Sequence, residues 1–195
     1  MIRSVCVYCG SSPGAQPAYA DAARAFGRAL AEAGLTLVYG GGKVGLMGMI
    51  ADSVMAAGGR AIGVIPELLV DKEIGHHGLT ELHVVSDMHE RKKMMADLSD
   101  AFVALPGGAG TLEELFEVYT WAQLGYHRKP VGVFNIARFY DPLIAMLEHT
   151  VREGFMQRAY FETLQIDSDP AGLIGKLQRY RPLVQDKWSQ HRDKV

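Results

Sequence analysis

Residues 101–124 read AFVALPGGAGTLEELFEVYTWAQL, and the order of residue types in this stretch decides the fold. Phe102, Val103, Ala104 and Leu105 form a short apolar run that reads as a buried strand. Pro106, Gly107, Gly108, Ala109 and Gly110 then make a tight turn, and the pattern predicts a helix starting at Thr111. Glycines at such a turn let the backbone approach a ligand closely and point its N–H groups outward. The helix adds the positive end of its dipole, so the turn is suited to a phosphate. Glu113 and Glu114, one turn inside the helix, set it apart from an ordinary phosphate loop. A carboxylate beside a bound phosphate is costly unless a group between them, such as a sugar, makes use of it. The stretch reads as a nucleotide site with its own acid–base group.

Working outward, apolar runs alternate with helical periodicity along the chain. Strands are expected at Ser4–Tyr8, Leu35–Tyr39, Ala61–Ile65 (cut off by Pro66), Leu82–Val85, Pro130–Phe134 and Leu164–Ile166. Between them, apolar residues recur at helical spacing: Tyr19 to Ala33 stopped by Gly34, Leu46 to Ala57 closed by Gly58 and Gly59, and Met88 to Leu98. Tyr140 to Val151 and Leu173 to Tyr180 follow the same spacing. Glu67 to Thr80 is the least regular part. Strands apolar through their length, alternating with helices, indicate an α/β fold: one doubly wound parallel sheet covered by helices on both faces. The expected domain runs over 1–182, with a polar tail at 183–195. In such sheets ligands bind beyond the carboxyl ends of the strands, where strand order switches. The glycine-rich turns all fall at those ends, so they share one rim.

The bulk properties bound the function. A chain of 195 residues holds one α/β domain with a full core. Hydrophobic residues at 48% and charged residues at 22% are ordinary for a globular protein. A net charge of −2 gives no reason to expect a nucleic-acid partner. No apolar run approaches the ~20 residues that span a bilayer, and no membrane partner is expected. The first residues run straight into a strand pattern, so a cytoplasmic location is expected. Cys6 and Cys9 have the spacing of a redox pair, yet they lie in or just beyond a strand, on opposite faces. They are expected to be buried thiols.

Each motif has a competing structural reading. Gly40-x-Gly42-x-x-Gly45 matches a dinucleotide fingerprint, with Glu67 further on as a ribose ligand, although Glu67 lies beyond the usual ~20 residues. The alternative is a turn that walls a mononucleotide site. Thr111-x-x-Glu114 has capping-box spacing, which would make Glu114 a helix cap. Against that, Glu117 follows Glu113 and Glu114 at i+4 and i+3, and such crowding raises carboxylate pKa values as functional sites do. Arg91 and Lys92 fit a solvated helix face or residues reaching the same rim; arginine stays charged, so its role there would be charge stabilisation. His76, His77, His83 and His89 lack metal-site spacing, and no metal is expected. Tyr119 and Trp121 are expected to pack against another helix. The helix from Leu112 is apolar around much of its girth, so a homodimer is expected.

Pro106-Gly107-Gly108-Ala109-Gly110-Thr111-Leu112-Glu113-Glu114 fits the PGGxGTxxE pattern of the Lonely Guy family, the cytokinin riboside 5′-monophosphate phosphoribohydrolases. Met88-His89-Glu90-Arg91-Lys92 resembles the family's Arg-Lys segment. Cys9 to Ser12, Tyr39 to Gly42 with Gly45 to Gly48, and Thr120 to Gly125 are also similar, carrying the resemblance to about Asp141. Members have often carried the label lysine decarboxylase, but no lysine here sits in a pyridoxal phosphate context. The resemblance implies a Rossmann-like homodimer that hydrolyses the N-glycosidic bond of an adenosine-type 5′-monophosphate, AMP or its N6-prenyl form, with no cofactor. By position it implies Arg91 and Glu114 as the catalytic pair and Gly108, Ala109, Gly110 and Thr111 as the phosphate grip. It also implies Glu73, Lys92, Leu112, Glu113 and Thr120 as further substrate contacts. Two other classes stay open: a non-catalytic nucleotide or cofactor carrier, and a dinucleotide-dependent oxidoreductase.

Overall fold

The computed structural model describes residues 1–70 and 75–183. Seven parallel strands form one sheet in the order β4-β3-β2-β1-β5-β6-β7. They are β1 (Ser4–Tyr8), β2 (Thr36–Tyr39), β3 (Ala61–Pro66), β4 (Glu81–Val85), β5 (Ala101–Ala104), β6 (Val131–Phe134) and β7 (Leu164–Asp167). The longer helices are α1 (Pro17–Glu32), α2 (Gly45–Ala56), α4 (Met88–Asp97), α5 (Ala109–Gln123), α6 (Asp141–Arg152) and α8 (Pro170–Arg179). Two four-residue helices, α3 (Glu67–Val70) and α7 (Arg158–Phe161), complete the set. The chain builds outward from β1 to β4, then crosses back to place β5 on the other side of β1. The switch in strand order therefore lies between β1 and β5, where a ligand crevice is expected.

Alternation along β1 divides the core in two. Val5, Val7 and Cys9 face a cluster with Phe26, Leu30, Ile50 and Leu173 from α1, α2 and α8. Cys6 and Tyr8 face the opposite cluster with Met95, Leu115, Val118 and Leu147 from α4, α5 and α6. The cysteines are thus buried, free and on opposite faces, as their spacing predicts. Tyr119 also packs as expected: it is buried, and its hydroxyl donates to the Tyr160 carbonyl of α7 at 2.8 Å. Among the described residues no helix is long and apolar enough to cross a membrane.

Two expectations need correction. Strand β3 includes Pro66, which pairs in register with Val85, rather than ending before it. More consequentially, α5 begins at Ala109, with Gly108 as its N-cap, not at Thr111. Of the expected tail, residues 184–195 lie outside the described residues, as does Glu73.

Candidate active site

Three turns meet at the carboxyl end of the β1–β5 crevice, stitched by backbone hydrogen bonds. Leu105 N donates to Tyr8 O at 2.9 Å, Gly10 N to Pro106 O at 3.1 Å, and Leu46 N to Gly10 O at 3.0 Å. The start of α2 comes so close to the first turn that a Cβ built on Gly45 would stand 2.3 Å from the Ser11 carbonyl carbon. Gly45 also has φ +58°, which glycine adopts without penalty. The shared rim expected from the sequence is therefore realised.

These turns wall a cavity of about 390 Å³. On one side lie Gly108, the N-cap of α5, and Ala109, Gly110 and Thr111, its first residues. The first intrahelical bond there runs from Leu112 N to Gly108 O at 3.1 Å, so the Leu112 amide is committed to the helix. First-turn amides before it have no intrahelical acceptor by helix geometry, and they are the natural anion contacts. Across the cavity stand Gly40, Met47, Leu69, Met88 and Met95, a wall rich in thioethers, with Arg91 among them.

Arg91 is only 6% exposed. Its Nε donates to the Val64 carbonyl at 3.2 Å, within β3, and its Nη2 to the Gly40 carbonyl at 2.9 Å, just beyond β2. Asp87 caps α4 by accepting from His89 N and Glu90 N, both at 2.8 Å. Glu90 reaches back to Ser86 N at 2.9 Å and its Oγ at 2.7 Å, fixing the entry of the helix that presents Arg91. Arg91 is thus a buried, oriented cation, and the solvated-face reading does not describe it.

Glu114 is half-buried and lines the same cavity. The capping-box reading fails, because α5 starts two residues early and its N-cap, Gly108, has no side-chain cap. Thr111 then lies inside the first turn, where its backbone is helical and it cannot act as the cap. The crowding argument also changes. Lys92 Nζ donates to Glu113 Oε1 at 2.6 Å and to Glu117 Oε1 at 2.9 Å, so an ammonium sits between the flanking carboxylates. Burial pulls the Lys92 pKa down, but these two hydrogen bonds outweigh it and the net shift is upward.

The floor carries Tyr8 and Cys9. Burial pushes the Cys6 thiol, just beneath, up to about 12, with Glu114's charge adding to it against hydrogen bonds from Tyr8 and Ser99. Burial, then Glu114, pushes Cys9 up as well, and Tyr8 moves well above its ordinary range for reasons led by burial. Neither thiol is a thiolate near neutrality, so neither is a nucleophile or redox centre there.

Of the residues named from the sequence, Arg91, Gly108, Ala109, Gly110, Thr111, Glu113 and Glu114 share this cavity. Lys92 sits behind it in its ion pairs, Leu112 turns into the core cluster of α4 and α5, and Thr120 is exposed further along α5. Glu67, at the head of α3, is exposed and does not line the cavity, although Leu69 on the same helix does. The Gly40–Gly45 turn is covered by the following segment: His76 N donates to Gly41 O at 3.0 Å, and Gly42 bridges Gly75. That turn walls the cavity through Gly40. His76 itself bonds Asp52 at 2.8 Å on α2. Met47, Leu69, Met88 and Met95 also line the cavity, beyond the contact residues expected from the sequence. A signal existed for two of them, since Met88, Arg91 and Met95 are spaced i, i+3, i+7 and share a helix face.

Comparison with known proteins places these features in context. A family model described as "possible lysine decarboxylase" matches residues 47–177. The cytokinin riboside 5′-monophosphate phosphoribohydrolase of Rhodococcoides fascians is 49% identical over 177 residues, covering 90% of this chain and 89% of that protein. The rice (Oryza sativa subsp. japonica) enzyme of the same name, LOG, is 48% identical over 180 residues, 92% of this chain and 74% of its own length. LOG7 of Arabidopsis thaliana is 46% identical over 92% of this chain and 83% of its own. Among solved structures, the molybdenum cofactor binding protein of Rippkaea orientalis superposes with TM-score 0.68 at 22% identity, covering 91% of this chain and 96% of that one. A Moco carrier protein from Chlamydomonas reinhardtii gives 0.69 at 20%, covering 92% and 97%. At that identity these two establish the shared fold alone.

Proposed function

The chain belongs to the Lonely Guy family of cytokinin riboside 5′-monophosphate phosphoribohydrolases, and from that premise we propose that it hydrolyses the N-glycosidic bond of an N6-modified adenosine 5′-monophosphate. Water adds at C1′, the bond to the purine breaks, and free base and ribose 5-phosphate leave. The observation that carries the reading is the placement of Glu114 and Arg91 in one cavity with the first turn of α5.

The 5′-phosphate is held by the amides of Ala109, Gly110 and Thr111 at the positive end of α5. That grip lets remote binding energy fix the sugar, which favours monophosphates over nucleosides. Bond cleavage passes through an oxocarbenium-like sugar, and Glu114 supplies the negative charge near C1′ while holding ribose hydroxyls and the attacking water. Arg91, set among Met47, Met88 and Met95, faces the base and balances charge developing on it as it departs. The thioether wall supports an apolar N6 substituent, since methionine adapts to irregular shapes. Lys92 keeps Glu113 and Glu117 paired beside the site; Glu113 and Thr120 remain candidates for contact with substrate, as does Glu73.

A homodimer is part of this proposal. Phe116 on α5 is 38% exposed and Met88 on α4 42%, which supports a partner over this side of the sheet. A cytoplasmic location is also proposed.

The deciding experiment compares wild type with Glu114→Gln on AMP and N6-prenyl-AMP, following free base by chromatography. Release should fall by ~100-fold or more with the fold retained, the scale of losing one transition-state contact. Near-normal turnover in the variant would remove Glu114 from the chemistry.

A further inference from the structure

A second concavity, of about 250 Å³, lies on the other side of the crevice and shares Gly10, Ser11 and Gly108 as walls with the active-site cavity. Its side-chain lining is mostly apolar, from Pro13, Tyr19, Leu46, Pro106 and Phe139, with Ser11 and Ser12 at one edge. Tyr19 and Phe139 are half-buried and meet edge-to-face, with centroids 5.8 Å apart at 80°. Among the described residues, no charged side chain lines it.

The way Phe139 is delivered sets this cleft apart from a packing defect. The two residues before it, Ala137 and Arg138, are non-glycine residues with φ of 48° and 62°. Such conformations persist only where the surroundings over-determine them. Here Asn135 does so: its Oδ1 accepts from Tyr140 N at 2.7 Å, its Nδ2 donates to Asp141 Oδ1 at 2.8 Å, and its N donates to Asp167 O at 2.8 Å. The fold thus tolerates local strain beside an aromatic wall that stays partly open.

We infer that this cleft is a second binding site, for an uncharged planar heteroaromatic, and that its occupant is the free base the enzyme releases. The inference rests on the proposed reaction. No charged side chain lines the cleft, and the α5 amides proposed to hold a phosphate, those of Ala109, Gly110 and Thr111, line the active-site cavity and not this one, which disfavours both the monophosphate and ribose 5-phosphate. The other product is neutral and planar with an apolar substituent. Aromatic side chains suit its ring, and the exposed backbone of the Gly10–Gly14 turn suits its polar edge. Because Gly10, Ser11 and Gly108 also wall the active site at the phosphate turn, base held in the cleft stiffens or shifts that turn and slows catalysis. Product inhibition therefore has two parts, competition in the active site and a lowered kcat from the cleft.

The test measures initial rates of ribose 5-phosphate release from N6-prenyl-AMP against added N6-prenyladenine, for wild type, Phe139→Ala and Pro13→Glu. Pro13 lies on the exposed rim, so its replacement introduces charge at the cleft without emptying the core. Wild type should show mixed inhibition. Both variants should keep basal kcat within about twofold and lose the kcat component, its inhibition constant rising by roughly fivefold or more, the scale of one aromatic contact. If Phe139→Ala does not fold, Pro13→Glu alone decides. Purely competitive inhibition of wild type, or unchanged mixed inhibition in the variants, overturns the inference. So does a KM in Phe139→Ala that rises for N6-prenyl-AMP but not for AMP, which would make the cleft part of the substrate site. Failure of the uninhibited enzyme to release base would instead strike the proposed reaction.

Discussion

Gly40→Ala tests whether the position of Arg91, and not just its presence, matters. A Cβ built on Gly40 would stand 2.0 Å from Arg91 Nη2, 3.2 Å from its Cζ and 3.2 Å from Met47 Sδ. The backbone at Gly40 is not left-handed, so alanine is accepted there conformationally and the perturbation is the contact alone. A guanidinium at the end of a free side chain would swing away. This one is buried and held by the Gly40 and Val64 carbonyls, so it must retreat by about 1 Å and give up at least one of those bonds.

A displacement of that size at a catalytic group lowers turnover by about 100-fold. A lost hydrogen bond to a charged group is worth about 2 kcal/mol, which for a domain this size lowers Tm by about 4–8 °C. Base release from N6-prenyl-AMP and a thermal melt measure the two effects separately. The double variant with Arg91→Ala completes the cycle: adding Gly40→Ala to Arg91→Ala should change the rate by less than about twofold, because the clash is then gone. If Gly40→Ala keeps turnover within about threefold of wild type while folded, the placement of Arg91 is not what the reaction depends on.

Two further outcomes follow from the electrostatics. Lys92→Met removes the ammonium between Glu113 and Glu117 and leaves two carboxylates beside Glu114 without their paired cation. The acid limb of kcat/KM should move to higher pH by roughly half a pH unit or more, and an unmoved limb would mean that these charges do not reach the site. His127 gives a stability test. Burial, with Lys129 nearby, holds its pKa below the usual 6.5 despite a bond to the Val118 carbonyl at 2.9 Å. The unfolded chain takes up a proton as pH falls through about 6.5 while the native imidazole stays neutral, so its stabilisation is complete above that pH and declines below it. Urea midpoints should fall between pH 7.5 and 5.5, and His127→Gln should flatten that fall; an equal fall in the variant would refute the assignment.

Much of this architecture was legible because it is local. The first strand, Ser4–Tyr8, coincides with β1, and the fourth misses its observed start by only one residue. Apolar runs and glycine stops report such features directly. The start of α5 was not legible, because Gly108 and Gly110 read as turn residues and glycine is a weak helix former. Contacts between elements were also hidden: Lys92 meets Glu113 across 21 residues of sequence, and Tyr19 meets Phe139 across the sheet crossover. Periodicity reports neighbours at i+3 and i+4 and is silent about such pairs. The crowding of Glu113, Glu114 and Glu117 was read correctly within the helix, but its electrostatic consequence was set by a residue on another one.

The early start of α5 would also let a carboxylate and the proposed phosphate coexist at one helix end. With Ala109 as the first helical residue, the amides proposed to hold the phosphate are those of Ala109, Gly110 and Thr111, and Glu114 lies four residues beyond Gly110. At about 1.5 Å per residue, that is roughly 6 Å along the axis, with slightly more than one turn between them. In the proposed reaction a pentose would occupy that interval, with its 5′ oxygen toward the amides and its anomeric carbon toward the carboxylate. Had the helix begun at Thr111, Glu114 would have been drawn to the cap and would compete with the phosphate for the same amides. Inserting one alanine between Thr111 and Glu113 would rotate Glu114 by about 100° away from the cavity while leaving the phosphate turn intact. Such a variant should still bind AMP but lose base release by about the same factor as Glu114→Gln; retained catalysis would show that the spacing along α5 does not set the geometry of the site.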